Sequence, residues 1–143
     1  MSTRKNIKYV KSCGFIAYKN TGNEILYLVI KSLNGDIGFP KGHTEIGESE
    51  LQTAVRELKE ETGIEVSTIS GFRYKIEYPL GTEKNAIKQC VYFLGKVTLD
   101  SIVCQKTEVD EAKFIPYDEA LDLLTFKETK DALKSADIFL KSI

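Results

Sequence analysis

The sequence predicts an α/β fold. Three observations carry this expectation. Strand-like and helix-like segments alternate along the chain, one helix has both its start and its stop written in the residues, and 143 residues at 42% hydrophobic supply one sizeable core but hardly two. No repeat, linker or low-complexity stretch interrupts the pattern, so a single domain over residues 1–143 is expected.

Cys13 to Tyr18 and Glu24 to Ile30 read as paired strands, because the intervening Lys19-Asn20-Thr21-Gly22-Asn23 is a glycine turn. Asn34-Gly35-Asp36 is a loop. Gly38-Phe39-Pro40-Lys41-Gly42 holds too much Gly and Pro for a central strand or helix and is expected as a short extended segment. Ser49 with Gln52 forms a capping box that opens a helix, and Gly63 suits the left-handed position that closes it. Leu51, Ala54, Val55 and Leu58 form its apolar stripe, and Thr53 is expected to leave room above its acidic face. Phe72 to Tyr78 and Lys88 to Leu94 flank the polar stretch Pro79 to Ala86 and predict a second antiparallel pair. Glu111 to Ile115 predicts one more strand. Beyond Pro116, Asp118 is expected to cap a short helix through Leu124, and Thr125 with Glu128 a final helix through about Leu140. Leu133, Ala136 and Leu140 recur on it at core spacing.

Twenty basic against twenty-one acidic side chains give a formal charge of −1, which leaves no global field to draw nucleic acid or membrane. Met1 to Lys8 is basic without an apolar run behind it, and the longest apolar stretch, Ile25 to Ile30, is six residues. Neither a secretion signal nor a membrane span is expected. Cys13, Cys90 and Cys104 are an odd number without C-x-x-C spacing, as free thiols in a reducing, cytoplasmic setting are. The expected partner is a small molecule, with no stable nucleic-acid partner, and the chain is expected as a monomer or weak dimer.

The chemistry is concentrated on the capped helix. Glu57, Glu60 and Glu61 stand at i, i+3 and i+4, within an arc of about 100°. Like charges at this spacing repel by roughly 0.2–0.5 kcal/mol per pair, so the arrangement makes sense chiefly around a cation. The bland alternative is a solvated acidic face. Oxygen-only ligands suit magnesium, with manganese as a substitute, and Arg56 flanks the acids where it can hold a carboxylate in place. Glu48 is expected to orient Arg56 through an ion pair.

Gly42, Glu48 and the run Arg56-Glu57-Leu58-Lys59-Glu60-Glu61-Thr62-Gly63-Ile64 meet every specified position of G-x5-E-x7-R-E-U-x-E-E-x-G-U, U being aliphatic. The chain thereby resembles the Nudix hydrolases. That resemblance implies an α/β/α sandwich with a mixed sheet and a magnesium-dependent cleavage of a phosphoanhydride in a nucleoside diphosphate linked to another moiety. Ser12-Cys13-Gly14-Phe15, Phe39-Pro40-Lys41-Gly42-His43 and Phe126-Lys127-Glu128 further resemble the branch that hydrolyses diadenosine tetraphosphate asymmetrically, to AMP and ATP. Animal members of that branch carry Trp-x-Pro-Pro where this chain has Ile37-Gly38-Phe39-Pro40. The resemblance also implies Glu108 as a ligand and candidate base, with Asp110 and Glu111 as competitors and Glu57 as the fallback, and a main-chain carbonyl ligand near Lys41 or Gly42.

A polyphosphate over these acids needs cations and an aromatic face. Lys41 and His43 bracket Gly42 and can contact phosphate oxygens. Lys84 and Lys88 are phosphate-binding candidates by resemblance, with a solvated role the competitor for Lys84. Tyr92 and Phe126 are expected to sandwich a nucleobase, core packing being the competing account of Tyr92. Within the enzyme class the rivals are RNA 5′-end pyrophosphate removal, nucleoside triphosphate cleansing and ADP-ribose cleavage. Outside it stands a nucleotide-sensing module, which has no reason to keep all three glutamates.

Overall fold

The computed structural model describes residues 7–79, 85–104 and 108–143. In chain order these form β1 (Lys8–Asn20), β2 (Ile25–Ser32), β3 (Ile37–Gly38), β4 (Lys41–His43), α1 (Glu50–Thr62), β5 (Glu65–Pro79), β6 (Ala86–Leu99), β7 (Val109–Pro116), α2 (Tyr117–Leu123) and α3 (Lys127–Ser142). The class is α/β, as the alternation predicts.

One mixed sheet runs β3-β2-β1-β6-β5, with β4 on β1 and β7 on β2. The expected hairpin is present, Tyr18 facing Tyr27 across β1 and β2. β1 and β6 lie parallel along their whole contact, from Lys8 beside Ala86 to Tyr18 beside Lys96. Burial on both faces explains the unbroken apolar run in β1. Cys13, Phe15 and Ala17 turn to one face and pack with Ala54, Leu58 and Ile64 of the α1 layer. Ile16 and Tyr18 turn to the other, where Tyr92, Leu133 and Ala136 lie under α2 and α3. Alternation along a strand thus divides the core into two layers.

Several elements differ from expectation for identifiable reasons. β5 begins at Glu65, well before Phe72, because Gly71 at φ 97 carries an irregularity and the strand continues through it. Leu51 and Val55 are 38% and 49% exposed, while Thr53, Ala54, Leu58, Glu61 and Thr62 are buried. The buried arc of α1 is therefore rotated toward the acids. Asp118 lies inside the first turn of α2, whose N-cap is Pro116 without a side-chain cap. Thr125 does not cap α3 either: its hydroxyl accepts from the Ile37 amide (2.8 Å) and its own amide donates to the Ile37 carbonyl (3.1 Å). That double bond to β3 fixes where Phe126 enters the cleft. Leu133 and Ala136 are buried, with Leu140 packed beside them.

Cys13, Cys90 and Cys104 are free thiols, and no helix among the described residues is long and apolar enough to cross a membrane. The Ser12 hydroxyl is the one buried side-chain polar atom among the described residues without a hydrogen-bond partner. Leaving such a group unsatisfied costs about 1–3 kcal/mol. Ser12→Ala is therefore expected to raise the melting temperature by about 3 °C in a thermal melt, and a fall would show that the hydroxyl is satisfied in solution.

Candidate active site

The helix caps place the acids. Ser49 Oγ accepts from the Gln52 amide at 3.1 Å and the Gln52 side chain accepts from the Ser49 amide at 2.9 Å, while Gly63 takes φ 75 at the far end. In the first turn, Glu50 receives Lys11 from β1 and Arg73 from β5, tying the helix start to the sheet. These two cations hold its carboxyl down at about 2, the Arg73 hydrogen bond being the larger cause.

On a helix turning about 100° per residue, the buried residues Thr53, Ala54, Leu58 and Thr62 span an arc whose middle is occupied by Glu61. Glu57 lies within the arc, between Thr53 and Glu61, and Glu60 just outside it. Glu61 is accordingly 4% exposed, whereas the Glu60 side chain is 48% exposed. A carboxylate in that position meets desolvation first, then the hydrogen bond and charge of Glu57, then the charge of Glu108. Together they push its pKa up to about 8, against a smaller opposing pull from Lys41.

Arg56 organises the rim. Its Nε donates to Glu48 Oε2 (2.6 Å), Nη2 to Glu48 Oε1 and the His43 carbonyl (both 3.0 Å), and Nη1 to Glu57 (2.8 Å) and Glu60 (3.2 Å). Every N–H of the guanidinium is engaged. The expected Glu48–Arg56 ion pair is thus present, and it holds the Glu48 carboxyl at about 2. Thr53, expected to leave room above the acids, is buried, and its hydroxyl donates to Glu48 (3.0 Å). One guanidinium faces three carboxylates here, with Glu45 a further 3.8 Å contact, so the rim stays negative.

Glu57, Glu61 and Glu108 bring one carboxylate oxygen each to within 4.8 Å of one another. Glu60, expected in the set, is drawn to Arg56 instead, and Glu108, the turn residue before β7, takes the third place. This donor set fits a hard divalent cation: it is all oxygen, open on one side through the exposed Glu108, and places a buried carboxyl with a raised pKa beside two further acids. Gly42 is required for it. A Cβ at Gly42 would fall on the Glu57 carboxylate.

The acids open into a cleft of about 300 Å³, continuous past Lys41, Tyr92, Phe126 and Thr129 with a more apolar lobe of about 250 Å³. Lys41, His43 and Lys88 lie on this face through the register of β4, β1 and β6: His43 faces Ser12, which faces Cys90, and Lys41 faces Gly14, which faces Tyr92. Burial, then the neighbouring Lys41, lowers the pKa of Lys88, and burial followed by Lys88 and Lys41 lowers that of His43. The two lysines repel one another and favour an anion between them. Lys84 lies outside the described residues.

Tyr92 departs from the expected sandwich. Its ring is 1% exposed and meets Phe39 edge-on at 5.6 Å, so it packs in the core, the competing account, and forms a wall of the cleft. Tyr78 of β5, not singled out from the sequence, lines the apolar lobe with Phe126, and the two are 40% and 52% exposed. Period two from Ile76 to Tyr78 places both on the cleft face, a signal available in the chain.

Residues 9–136 match the model of the NUDIX domain. The chain belongs to the NUDIX family. It is 34% identical to the asymmetrical bis(5′-nucleosyl)-tetraphosphatase of Sus scrofa over 94% of this chain and 97% of that protein. It is 32% identical to the Mus musculus protein of the same name over 93% and 97%. Among solved structures it is similar to a binary complex of a C. elegans Ap4A hydrolase, with a TM-score of 0.84 at 25% identity, covering 94% of this chain and 99% of that one. With family and acid pattern together, the chain is a Nudix hydrolase.

Two predictions follow from the acid pair. Because Glu61 has a raised pKa in the fold, its stabilising contribution is full below about pH 4.5 and is lost as pH rises through about 8. In chelator, the melting temperature of the native protein is expected to fall between pH 6 and pH 9, and Glu61→Gln, a mimic of the protonated acid, to flatten that fall; parallel curves would refute the assignment. Gly42→Ala is expected to weaken manganese binding, measured by calorimetry, by about tenfold or more through displacement of Glu57.

Proposed function

We propose that this Nudix hydrolase cleaves dinucleoside polyphosphates asymmetrically with Mg²⁺, diadenosine tetraphosphate to AMP and ATP. The observation that carries the reading is the convergence of Glu57, Glu61 and Glu108 beside a cleft lined by Lys41 and aromatic rings. The names of relatives aligned over nearly the whole chain support the same substrate.

Glu57, Glu61 and Glu108 would hold the divalent ions, with Glu60 at the rim. Such ions, when bound, neutralise phosphate charge and orient water for in-line attack. Manganese serves in place of magnesium, both being oxygen-seeking. Glu48 and Arg56 fix the Glu57 carboxylate. Lys41, Lys88 and the His43 ring supply donors to the phosphate oxygens, with Lys84 a further candidate. Glu108, exposed at the open side of the cluster, accepts the proton of the attacking water, Glu57 being the alternative acceptor. A new P–O bond forms, one phosphoanhydride P–O bond breaks, and the nucleoside triphosphate leaves.

Phe126 offers a half-exposed ring to a purine. Tyr78 is the better opposite face than Tyr92, since stacking needs an accessible ring and contributes about 1–3 kcal/mol per base. Free thiols at Cys13, Cys90 and Cys104 support a reducing, cytoplasmic setting.

The test is product identification with magnesium over a panel of dinucleoside polyphosphates, RNA 5′ ends, nucleoside triphosphates and ADP-ribose. AMP plus ATP from the tetraphosphate is expected, and two ADP would overturn the asymmetric assignment. Glu57→Gln is expected to lower kcat by about a hundredfold or more with little change in melting temperature, and a variant keeping a tenth of native turnover would remove Glu57 from the machinery.

A further inference from the structure

The 300 Å³ lobe lined by Glu61 and Glu108 is also lined by Ser32, Asn34 and Asp36 at the turn between β2 and β3, whereas Tyr78 lines the apolar lobe. We infer that this polar end is a subsite for the ribose hydroxyls of the second nucleoside of the substrate. The inference rests on the dinucleoside reading above and extends it across the scissile bond.

The turn is a prepared surface. The Ser32 amide donates to the Asp36 carbonyl (2.9 Å) and the Gly35 amide to the Ser32 carbonyl (2.9 Å), with Gly35 at φ 94. Ser32 Oγ donates to Asn34 Oδ1 (3.1 Å), and the Asp36 amide donates to the same oxygen (3.0 Å). Asn34 Nδ2 donates to Asp36 Oδ2 (3.3 Å). These bonds leave Asp36 Oδ1 and one Asn34 amide hydrogen without a described partner, and both residues line the cleft.

The chemistry of that end selects against phosphate. Lys41 is the one cation among the described residues lining this lobe, and it stands at the junction with the apolar lobe. Asp36 is a carboxylate outside the Glu57–Glu61–Glu108 set, and its own charge disfavours a bare phosphate end beside it. A neutral group rich in donors is favoured instead. A carboxylate beside an amide matches a vicinal diol, with Asp36 accepting from the hydroxyls and Asn34 donating to one of them. Phe126, shared by both lobes, offers apolar surface to the attached base. A substrate with a nucleoside at each end then occupies both lobes, one base beside Tyr78 and the other ribose at Asp36.

The experiment compares diadenosine tetraphosphate with adenosine 5′-tetraphosphate, which has one bare phosphate end, in the native enzyme and in Asp36→Ala and Asn34→Ala. The expected result is a KM raised about tenfold for the dinucleotide, with the mononucleotide KM unchanged and the melting temperature held. The native enzyme is also expected to lose about tenfold on the fully 2′,3′-dideoxy dinucleotide relative to the ribo form, and Asp36→Ala to show a smaller difference. Equal changes for both tetraphosphates, no change, or sensitivity to replacing adenine by hypoxanthine in place of the dideoxy substitution would overturn the subsite. A native enzyme inactive on every dinucleoside polyphosphate would bring down the proposed function and the subsite together, an outcome distinct from an active enzyme indifferent to Asp36.

Discussion

Two carboxylates in contact, one of them buried, set the terms for the rest of this structure. Glu61 occupies the middle of the buried arc of α1 with Glu57 against it, a pairing that costs free energy unless a proton or a cation lies between them. The surroundings accept that cost and keep it localised. Gly42 gives up its side chain so that Glu57 can reach in, and Arg56 spends all its donors on the rim. A helix packed for stability alone would place a leucine where Glu61 sits.

The sheet supplies the opposite charge. Because β4, β1 and β6 run side by side, Lys41, His43 and Lys88 come onto one face although they are separated in sequence. Two lysines and an imidazole held near one another, facing acids held near one another, leave a strip in which an anionic chain with bound divalent ions is accommodated. The helical layer on that face then closes the strip with Phe126, whose position is set by the Thr125–Ile37 hydrogen bonds in place of a helix cap. Thr125 precedes the N-cap Phe126, and its two bonds to β3 satisfy three backbone groups, the Ile37 N–H and C=O and its own N–H.

Local geometry was legible in the chain. Ser49, Gln52 and Gly63 act within a few residues of themselves, so the limits of α1 and the spacing of its acids follow from backbone hydrogen bonding alone. The hairpin of β1 and β2, the β5–β6 pair and the Glu48–Arg56 ion pair are likewise short-range or helix-directed. Rotation of α1 about its axis was not legible, because Leu51 and Val55 look as apolar as Ala54 and Leu58. Only the sheet beneath decides which of them it covers.

By itself the sequence determined that a capped helix carries closely spaced acids with an arginine beside them, since a 3.6-residue period fixes those relations before any packing. Tertiary structure decided which acids converge: Glu61 buried, Glu60 turned to Arg56, and Glu108 brought across from the turn before β7. It also decided that Tyr92 is wall and Tyr78 is surface. The physical reason is the same in each case. Periodicity states which residues share a face, whereas the depth of that face and what stands opposite depend on how distant strands and helices pack together.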